Sequence, residues 1–176
     1  MKTLKLYITE ALHVNKNTKI TEYNYHPKDR IELEELIEKL IKERGIDADL
    51  NDIDTSEITD MKDLFWGSAF NGDISEWDVS NVKSMHTMFY LSDFNGDISE
   101  WDVGNVVDMR SMFYDSKFNG DISKWDVSNV EDMTYMFYAS KFNSDISKWD
   151  VNNVKDMNHV FTGSPLEKNP PKWYKK

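Results

Sequence analysis

A 24-residue segment recurs four times in unbroken register in this chain, and this repetition constrains the fold more than any other feature. Thirteen of the 24 positions are identical in the four copies, which follow the pattern F-N-x-D-I-S-x-W-D-V-x-N-V-x-x-M-x-x-x-F-x-x-S-x. The pattern places Phe at positions 70, 94, 118 and 142 and Trp at positions 77, 101, 125 and 149. One copy is too short to bury its own apolar residues, so the sequence predicts copies that stack around a continuous core.

A fifth, degenerate copy precedes the four regular ones, at residues 48–69. It keeps apolar residues in the same slots: Leu50 replaces Ile, Ile53 replaces Trp, Ile58 replaces Val, and Met61 and Phe65 are retained. We therefore divide the chain into an N-terminal helical cap region (1–45), a solenoid of five copies whose first is degenerate (46–165), and a C-terminal capping tail (166–176).

The first part of each copy has the pattern of a short strand. Ile74, Trp77 and Val79 resemble the L-x-x-L-x-L signature of leucine-rich repeats, in which a short strand lines a horseshoe. Asn81 follows, where its side chain can bond to backbone groups of the neighbouring copy. Repeated in each copy, this residue predicts a buried asparagine ladder.

The second part of each copy has helical spacing. In the first regular copy its apolar residues are Val82, Met85, Met88 and Phe89. Their spacing predicts a short helix over roughly residues 82–91, either α-helical or partly 3₁₀, with Asn81 as its N-cap. A turn at Gly72, Gly96 and Gly120, where glycine tolerates a positive φ, then returns the chain. The predicted fold class is an α/β solenoid: a right-handed, leucine-rich-repeat-like stack of short parallel strands and short helices with an N-terminal α-helical cap.

The segment before the repeats predicts the helical cap. Residues 26–45 form an amphipathic helix in which Asp29 and Glu32 make a start resembling a capping box. Gly45 ends this helix. Because a solenoid needs a polar-faced cap, we expect the helix to cover the first copy.

The two chain termini carry further expectations. The spacing of Leu4, Ile8, Ala11 and Leu12 fits a short helix. Residues 19–25 fit a strand or hairpin arm. At the other end, we expect Trp173 to fold over the apolar end of the last copy.

Composition excludes several classes of protein. The net charge is −11, with 32 Asp and Glu against 21 Lys and Arg, which argues against a nucleic-acid binder because phosphate contacts need clustered cations. The chain has no cysteine, so disulfides and thiolate metal sites are ruled out. It has no run of about 18 apolar residues that could span a membrane. Its N-terminus lacks the apolar stretch and small-residue cleavage site of a signal peptide.

No catalytic constellation is apparent. The sequence contains no H-E-x-x-H, G-x-S-x-G, P-loop or dinucleotide fingerprint. The four histidines, His13, His26, His86 and His159, occupy unrelated positions. Residues copied into every repeat are expected to build the repeat, because a catalytic group is normally needed at one place. We therefore predict no enzyme activity and no cofactor.

The aspartates between each Trp and the following Val are the leading candidates for a binding surface. Strand alternation points them outward, onto the face expected to be concave. With the variable residue before each Trp, the predicted partner-binding set is Glu76, Asp78, Glu100, Asp102, Lys124, Asp126, Lys148 and Asp150. Like charges ~4.8 Å apart repel by roughly 0.9 kcal/mol in water. Local hydrogen bonds, a basic partner or a calcium ion would each offset that repulsion.

Two other columns of repeated residues carry expectations. The aspartates that follow the turn, Asp73, Asp97, Asp121 and Asp145, are expected to make Asx-type turn bonds. Tyr90, Tyr114 and Tyr138 form an aromatic strip that is broken at Thr162. This strip is either an exposed contact surface or packing between copies.

The motif F-N-G-D-I-S-x-W-D-V-S-N-V-x-x-M-x-x-M-F resembles the repeat of the BspA-like leucine-rich-repeat family, over about residues 48–165. Such repeats occur in bacterial surface proteins, mycoplasma lipoproteins, and phage or large-virus genomes. The resemblance implies a solenoid used for protein attachment, without enzyme activity. This chain lacks the signal peptide and lipoprotein cysteine of the surface members, and its compact layout looks more like the small bacteriophage members.

These observations lead to the expectation of a non-enzymatic protein–protein interaction module with a rigid acidic surface, bound by a partner with a basic patch. One alternative is a structural or accessory component of a phage particle, and another is a calcium- or glycan-binding module. We expect no nucleic acid and no membrane insertion, while an exposed solenoid end would invite homo-oligomers. The expected location is the host cytoplasm or the virion, and surface display stays open for a chain whose leader has been removed.

Overall fold

The computed structural model describes residues 23–174. Within them the chain forms one α-helix, α1 (Arg30–Arg44), and one short 3₁₀ helix (Pro165–Glu167). The expected helix with Leu4, Ile8, Ala11 and Leu12 lies outside the described residues, as do residues 19–22 of the expected strand or hairpin arm. The repeats are numbered copy 1 (46–69), copy 2 (70–93), copy 3 (94–117), copy 4 (118–141) and copy 5 (142–165).

Helix α1 forms where the sequence predicts a helix. Oδ1 of Asp29 accepts hydrogen bonds from the N–H groups of Ile31 (2.8 Å) and Glu32 (3.0 Å), so Asp29 is the N-cap. The carboxylate of Glu32 reaches back to the N–H of Lys28 at 2.9 Å, one residue before the cap. Gly45 ends the helix with a φ of 97°, a left-handed value that favours glycine.

One face of α1 packs against copy 1. Leu33, Ile37 and Leu40 are at most 2% exposed and belong to the same core as the repeats. Two guanidinium nitrogens of Arg44 donate to the two carboxylate oxygens of Asp52, both at 2.9 Å. This apolar face and this bidentate ion pair hold the helix over the N-terminal end of the stack.

Successive copies are joined in a fixed register of one repeat length. Parallel bridges run through one column of equivalent positions, formed by Asp60, Ser84, Asp108, Asp132 and Asp156. Backbone hydrogen bonds recur at the same interval: the N–H of Phe89 donates to the carbonyl of Met112 at 2.9 Å, and the same bond forms one copy later. The sequence period is therefore also the structural period of the stack.

The helix predicted over residues 82–91 does not form, and that prediction was wrong. This part of each copy is a series of turns. Its alternate N–H groups bond to the next copy at 2.8–3.0 Å: those of Met85, Thr87, Phe89 and Leu91 donate to the carbonyls of Asp108, Arg110, Met112 and Tyr114. Thr87 and Leu91 have a φ of 55°, which a right-handed helix does not contain. Bonds between copies thus take the place of half of the bonds that a helix would make, while the N–H groups of Met88 and Tyr90 donate within the copy to the carbonyls of Met85 and Thr87 at 3.2 and 3.1 Å.

The strand predicted around Trp77 is replaced by turns as well. The N–H of Trp77 donates to the carbonyl of Ile74 at 3.2 Å, and the N–H of Val82 to that of Val79 at 2.9 Å. Throughout residues 23–174, the β pairing consists of isolated bridges. Side chains therefore supply most of the contacts between copies in this part.

The asparagine ladder is present, although its environment differs from the prediction. The side-chain amide of Asn81 donates to the carbonyl of Ser56 in the preceding copy at 2.8 Å. The same bond recurs at Asn105, Asn129 and Asn153. These asparagines are exposed, so the predicted burial was wrong, and Asn81 has no helix to cap. Their role is to satisfy a turn carbonyl at the surface of the stack.

Aromatic rings fill the core in columns. One Phe column runs through all five copies, with ring centroids 5.4–6.0 Å apart, at Phe65, Phe89, Phe113, Phe137 and Phe161. Each Trp of the repeat column donates its indole N–H to the carbonyl of the residue 27 positions earlier, as Trp101 does to Ile74 at 3.1 Å. The bond recurs at Trp77, Trp125 and Trp149. Each Trp thereby buries its ring and ties its copy to the preceding one without leaving an unpaired donor.

The C-terminal tail continues these columns as a partial sixth copy. Leu166 occupies the slot one repeat length after Phe142 and is buried. Trp173 occupies the slot one repeat length after Trp149, stacks on it at 6.5 Å, and donates its indole N–H to the carbonyl of Ile146 at 2.8 Å. The expected contact of Trp173 with the apolar end of the last copy is therefore present, and it follows the register of the repeat.

The turn glycines serve a purpose other than the predicted one. Gly72, Gly96 and Gly120 do not have a positive φ. A Cβ atom at Gly72 would lie 2.0 Å from the carbonyl oxygen of Ala48 and 2.7 Å from the ring of Phe70. The glycine is needed there because the backbones of adjacent copies approach closely.

The substitution Gly72→Ala is expected to lower the free energy of unfolding by about 2–3 kcal/mol, because the backbone of copy 1 must move away from the new methyl group. Gly120→Ala is the matched control: its Cβ would lie 3.6 Å from the preceding carbonyl and would press only on the Phe118 ring. We expect it to cost about 1 kcal/mol. Urea unfolding followed by tryptophan fluorescence measures both, and equal losses would contradict the close-approach explanation.

Candidate functional site

The predicted partner-binding residues lie together along one side of copies 2 to 5. This surface, termed the acidic face, comprises Glu76, Asp78, Glu100, Asp102, Lys124, Asp126, Lys148 and Asp150. Glu76 is half-buried and the other seven are exposed. The aspartates point outward while the Trp and Val on either side of them in copies 2 to 4 are buried, as the sequence predicts. The inside and outside positions of this segment are therefore confirmed.

Each aspartate of the acidic face closes a local turn. Oδ1 of Asp78 accepts from the N–H of Ser80 at 3.0 Å and from its hydroxyl at 2.6 Å. The N–H of Gly104 donates to Oδ1 of Asp102 at 3.1 Å. Equivalent bonds form at Asp126 and Asp150. Local hydrogen bonds, the first of the three alternatives for this column, thus engage one oxygen of every carboxylate.

Two other positions of the repeat use the same turn chemistry. The expected Asx-type bonds are present at Asp73, Asp97, Asp121 and Asp145, where the N–H two residues later donates to Oδ1 at 2.8–2.9 Å. Asp108, Asp132 and Asp156 accept the corresponding bond in the bridge column. Each of copies 3 to 5 thus contains three Asx turns, which explains why a repeat of this kind is rich in aspartate.

These turn bonds lower the pKa of several aspartates. The effect appears at Asp97, Asp121, Asp126 and Asp145, each of which is followed two residues later by a serine. At Asp97 the backbone N–H of Ser99 has the largest influence on the pKa, and the serine hydroxyl adds to it. The neighbouring charges of Asp73 and Asp121 oppose this shift but do not cancel it. The charged carboxylate is therefore the form that the folded chain stabilises.

Ion pairs between copies neutralise part of the acidic face. Nζ of Lys124 lies 2.6 Å from Oε1 of Glu100, which holds the same slot in the preceding copy, and both side chains are about 70% exposed. Lys155 and Glu131 form a similar pair at 2.6 Å. Such exposed pairs contribute roughly 0–1 kcal/mol each, so their effect is mainly on the charge pattern. The acidic character is therefore stronger around copies 1 to 3 than around copies 4 and 5.

The aromatic strip packs between copies. Tyr90, Tyr114 and Tyr138 are half-buried and stack face to face, with ring centroids 4.5 and 4.7 Å apart. Trp66 extends the strip into copy 1 by an edge contact with Tyr90 at 5.9 Å, and it is 62% exposed. Trp66 was not predicted as a member of the strip, although it lies one repeat length before Tyr90. Because the tyrosine faces cover one another, the strip offers mostly ring edges to a ligand.

The part of the chain that the structure describes has neither a cluster of metal ligands nor a membrane-spanning helix. Residues 23–174 contain no group of three or more His, Asp or Glu side chains arranged to hold a metal ion. No helix in these residues is long and apolar enough to cross a lipid bilayer.

The stacked 24-residue copies define this chain as a repeat protein held together by contacts between copies. It belongs to the family described as "Mycoplasma protein of unknown function, DUF285", whose sequence model matches residues 32–117 and again 69–173. This places it in a BspA-related repeat family. No curated protein and no solved structure matches the chain.

The lowered pKa values predict that acid destabilises the fold. Carboxyls with a depressed folded pKa contribute stability above the unfolded value of about 3.9, and this contribution is lost as pH falls through the lower folded values. We therefore expect the free energy of unfolding to decrease once the pH drops under about 4. In a variant with Asp97, Asp121, Asp126 and Asp145 changed to Asn, the turns persist but cannot titrate, so the decline should be shallower. Urea titrations between pH 6 and pH 2.5 test this, and identical pH profiles would contradict it.

Proposed function

We propose that this protein is a non-enzymatic protein-binding module whose acidic face receives a partner with a basic patch. The observation that carries the proposal is the column Asp78, Asp102, Asp126 and Asp150, which repeats an exposed carboxylate once per copy. The 24-residue register supports a solenoid related to leucine-rich repeats, although turns take the place of the expected strands and helices. Such a stack presents recognition residues at fixed intervals.

The carboxylates of this column keep one oxygen available. The turn bonds of all four use Oδ1. Their Oδ2 atoms have no hydrogen-bond partner among residues 23–174. A charged oxygen that is fixed in direction by its turn and open to solvent is well suited to a Lys or Arg of a partner, because charge-assisted hydrogen bonds are stronger than neutral ones.

The charge along the stack gives this interaction a direction. Residues 46–140 carry 20 Asp and Glu against 5 Lys and Arg, whereas residues 141–176 carry 4 acidic residues against 7 lysines. In the acidic face the variable slot changes from Glu76 and Glu100 to Lys124 and Lys148. A partner whose basic patch lies at one end would therefore bind in one orientation.

The origin and the location are part of the proposal. The compact layout favours a small bacteriophage member of the family, acting in the host cytoplasm or as a component of the particle. The calcium alternative receives little support, because residues 23–174 contain no group of three or more carboxylates arranged to hold a metal ion. The glycan alternative is weakened because the tyrosine faces that would stack on sugar rings stack on each other.

A capture experiment with two matched variants tests the proposal. The first variant changes Asp78, Asp102, Asp126 and Asp150 to Asn, and the second changes Asp73, Asp97, Asp121 and Asp145 to Asn. Both remove four charges from turns of the same type, and asparagine can still accept the turn bond. We expect tagged wild-type protein and the second variant to capture the same basic protein from the native host, and the first variant to lose it.

Raising the salt concentration should weaken the capture by wild-type protein, because the proposed contacts are exposed charges. Retention of the partner by both variants would contradict the assignment to the acidic face. Loss of the partner by both variants would show that capture depends on the net charge of the chain and not on the column of Asp78 in particular.

A further inference from the structure

The two ends of the stack differ in their backbone hydrogen-bonding groups. In copy 4 the N–H groups of Met133, Tyr135, Phe137 and Ala139 donate to carbonyls of copy 5. The equivalent donors of copy 5 are those of Met157, His159, Phe161 and Gly163, which have no regular copy after them. Between Met157 and Gly163 the C-terminal edge of the described stack is consequently an edge of donors, while the carbonyl of Lys155 beside them is equivalent to one that accepts a bond from the next copy.

Only part of this edge is satisfied within the described chain. The N–H of Gly163 donates to the carboxylate of Glu167 at 2.9 Å. Phe161 is 1% exposed, beneath the rings of Trp173 and Tyr174. The N–H groups of Met157 and His159 have no acceptor among residues 23–174, and these residues are half-buried and exposed, respectively.

An apolar surface lies beside these open donors. In copy 4, Val127, Val130 and Met133 are at most 1% exposed because copy 5 covers them. The equivalent residues of copy 5 are Val151, Val154 and Met157, and all three are half-buried. The tail covers the Trp and Phe columns but leaves this part of the last copy accessible.

The N-terminal end is closed by comparison. Tyr25 pairs with Ile53 in a parallel bridge, and its carbonyl accepts from the N–H of Asp54 at 2.9 Å. Helix α1 lies along residues 57–68 and buries Leu33 and Ile37. A covering helix is one of the ways in which proteins protect an edge.

We propose that the C-terminal edge, defined by Val151, Val154, Lys155, Met157 and His159, binds an extended segment of a partner protein that presents backbone carbonyls and an acidic side chain. The N–H groups of Met157 and His159 have no acceptor among residues 23–174 and can donate to carbonyls of a bound segment. Tail-to-tail pairing of two copies of this chain would oppose donor to donor, and α1 obstructs head-to-tail pairing. A separate segment satisfies the edge without either conflict.

The charge at this end favours an acidic segment. Lys155 belongs to the edge itself, where its ammonium group already pairs with Glu131 of copy 4 at 2.6 Å and remains exposed to a second carboxylate. The neighbouring donor, Gly163, is already satisfied by a carboxylate. At the bridge between copies 4 and 5, Asp156 pairs through its backbone with Asp132, so an acidic residue is accommodated at this position of the stack.

The chain itself supplies a template for the bound segment. Copy 5 is seated on copy 4 by bonds from the N–H of Lys155 to the carbonyl of Glu131 at 2.7 Å, and from the N–H of Met133 to the carbonyl of Asp156 at 2.8 Å. Shifted by one copy, the same geometry lets a segment donate to the carbonyl of Lys155 and accept from Met157 and His159. A peptide of residues 127–136, VSNVEDMTYM, contains the required valine and acidic residues.

The test uses the full chain and this peptide, with a scrambled peptide of the same composition as control. We expect saturable binding of the repeat peptide, measured by fluorescence anisotropy, and slower amide hydrogen exchange at Met157 and His159. Lys155→Glu should weaken binding about tenfold by opposing the acidic segment. Lys148→Glu makes the same charge change in the same copy on the acidic face, and it should leave binding unchanged.

Three results would overturn the proposal. The first is equal binding of the scrambled peptide, which would indicate non-specific charge attraction. The second is binding without protection of Met157 and His159. The third is reversible self-association of the chain, seen by sedimentation and blocked by the peptide, which would make a second copy the occupant. The acidic-face variant should bind the peptide normally, so this test is independent of the proposed function.

Discussion

The amide ladder between copies is the interaction on which the rest of the structure depends. Alternate N–H groups of each copy donate to the next copy, and the carbonyls between them accept from the preceding one. This alternation of donors and acceptors requires a left-handed backbone conformation at two positions of each copy, which in copy 2 are Thr87 and Leu91. A left-handed conformation costs an L-residue about 1–2 kcal/mol, so the ladder and the stacked rings must offset a recurring strain. The strain is tolerated because each copy fixes the backbone of its neighbour.

The acidity of the chain follows from the same architecture. A path made of turns needs short side chains that accept hydrogen bonds from nearby amides, and aspartate does this at three slots of copies 3 to 5. The negative surface is thus first a consequence of turn construction. The proposed recognition uses it because the turn bonds of the acidic face hold Oδ1 and leave Oδ2 without a hydrogen-bond partner among residues 23–174. The same residue then serves the fold and the proposed partner.

The features that depend on the repeat register could be predicted from the sequence. The backbone conformation could not be predicted where hydrogen bonds between copies determine it. The buried Phe and Trp columns, helix α1 and the outward direction of Asp102 follow from spacing alone. The spacing of Val82, Met85 and Phe89 fits a helix equally well, and a single copy does not reveal that its amides bond elsewhere. Gly72 was read as a residue that tolerates a positive φ because the approach of the Ala48 carbonyl is a contact between copies. The outward direction of the aspartates of the acidic face was predicted correctly, whereas Trp66 was overlooked because its copy is degenerate.

The most direct test of this account is the removal of one copy. Deletion of residues 94–117 removes one whole copy and restores every column across the junction, so the shortened chain should unfold in one cooperative transition. Deletion of residues 94–116 leaves one residue too many and shifts the ladder, the rings and the asparagine bonds out of register. We expect the second chain to be less stable than the first by about 3 kcal/mol or more in urea unfolding. Equal stability of the two chains would contradict the claim that a 24-residue register holds the fold together.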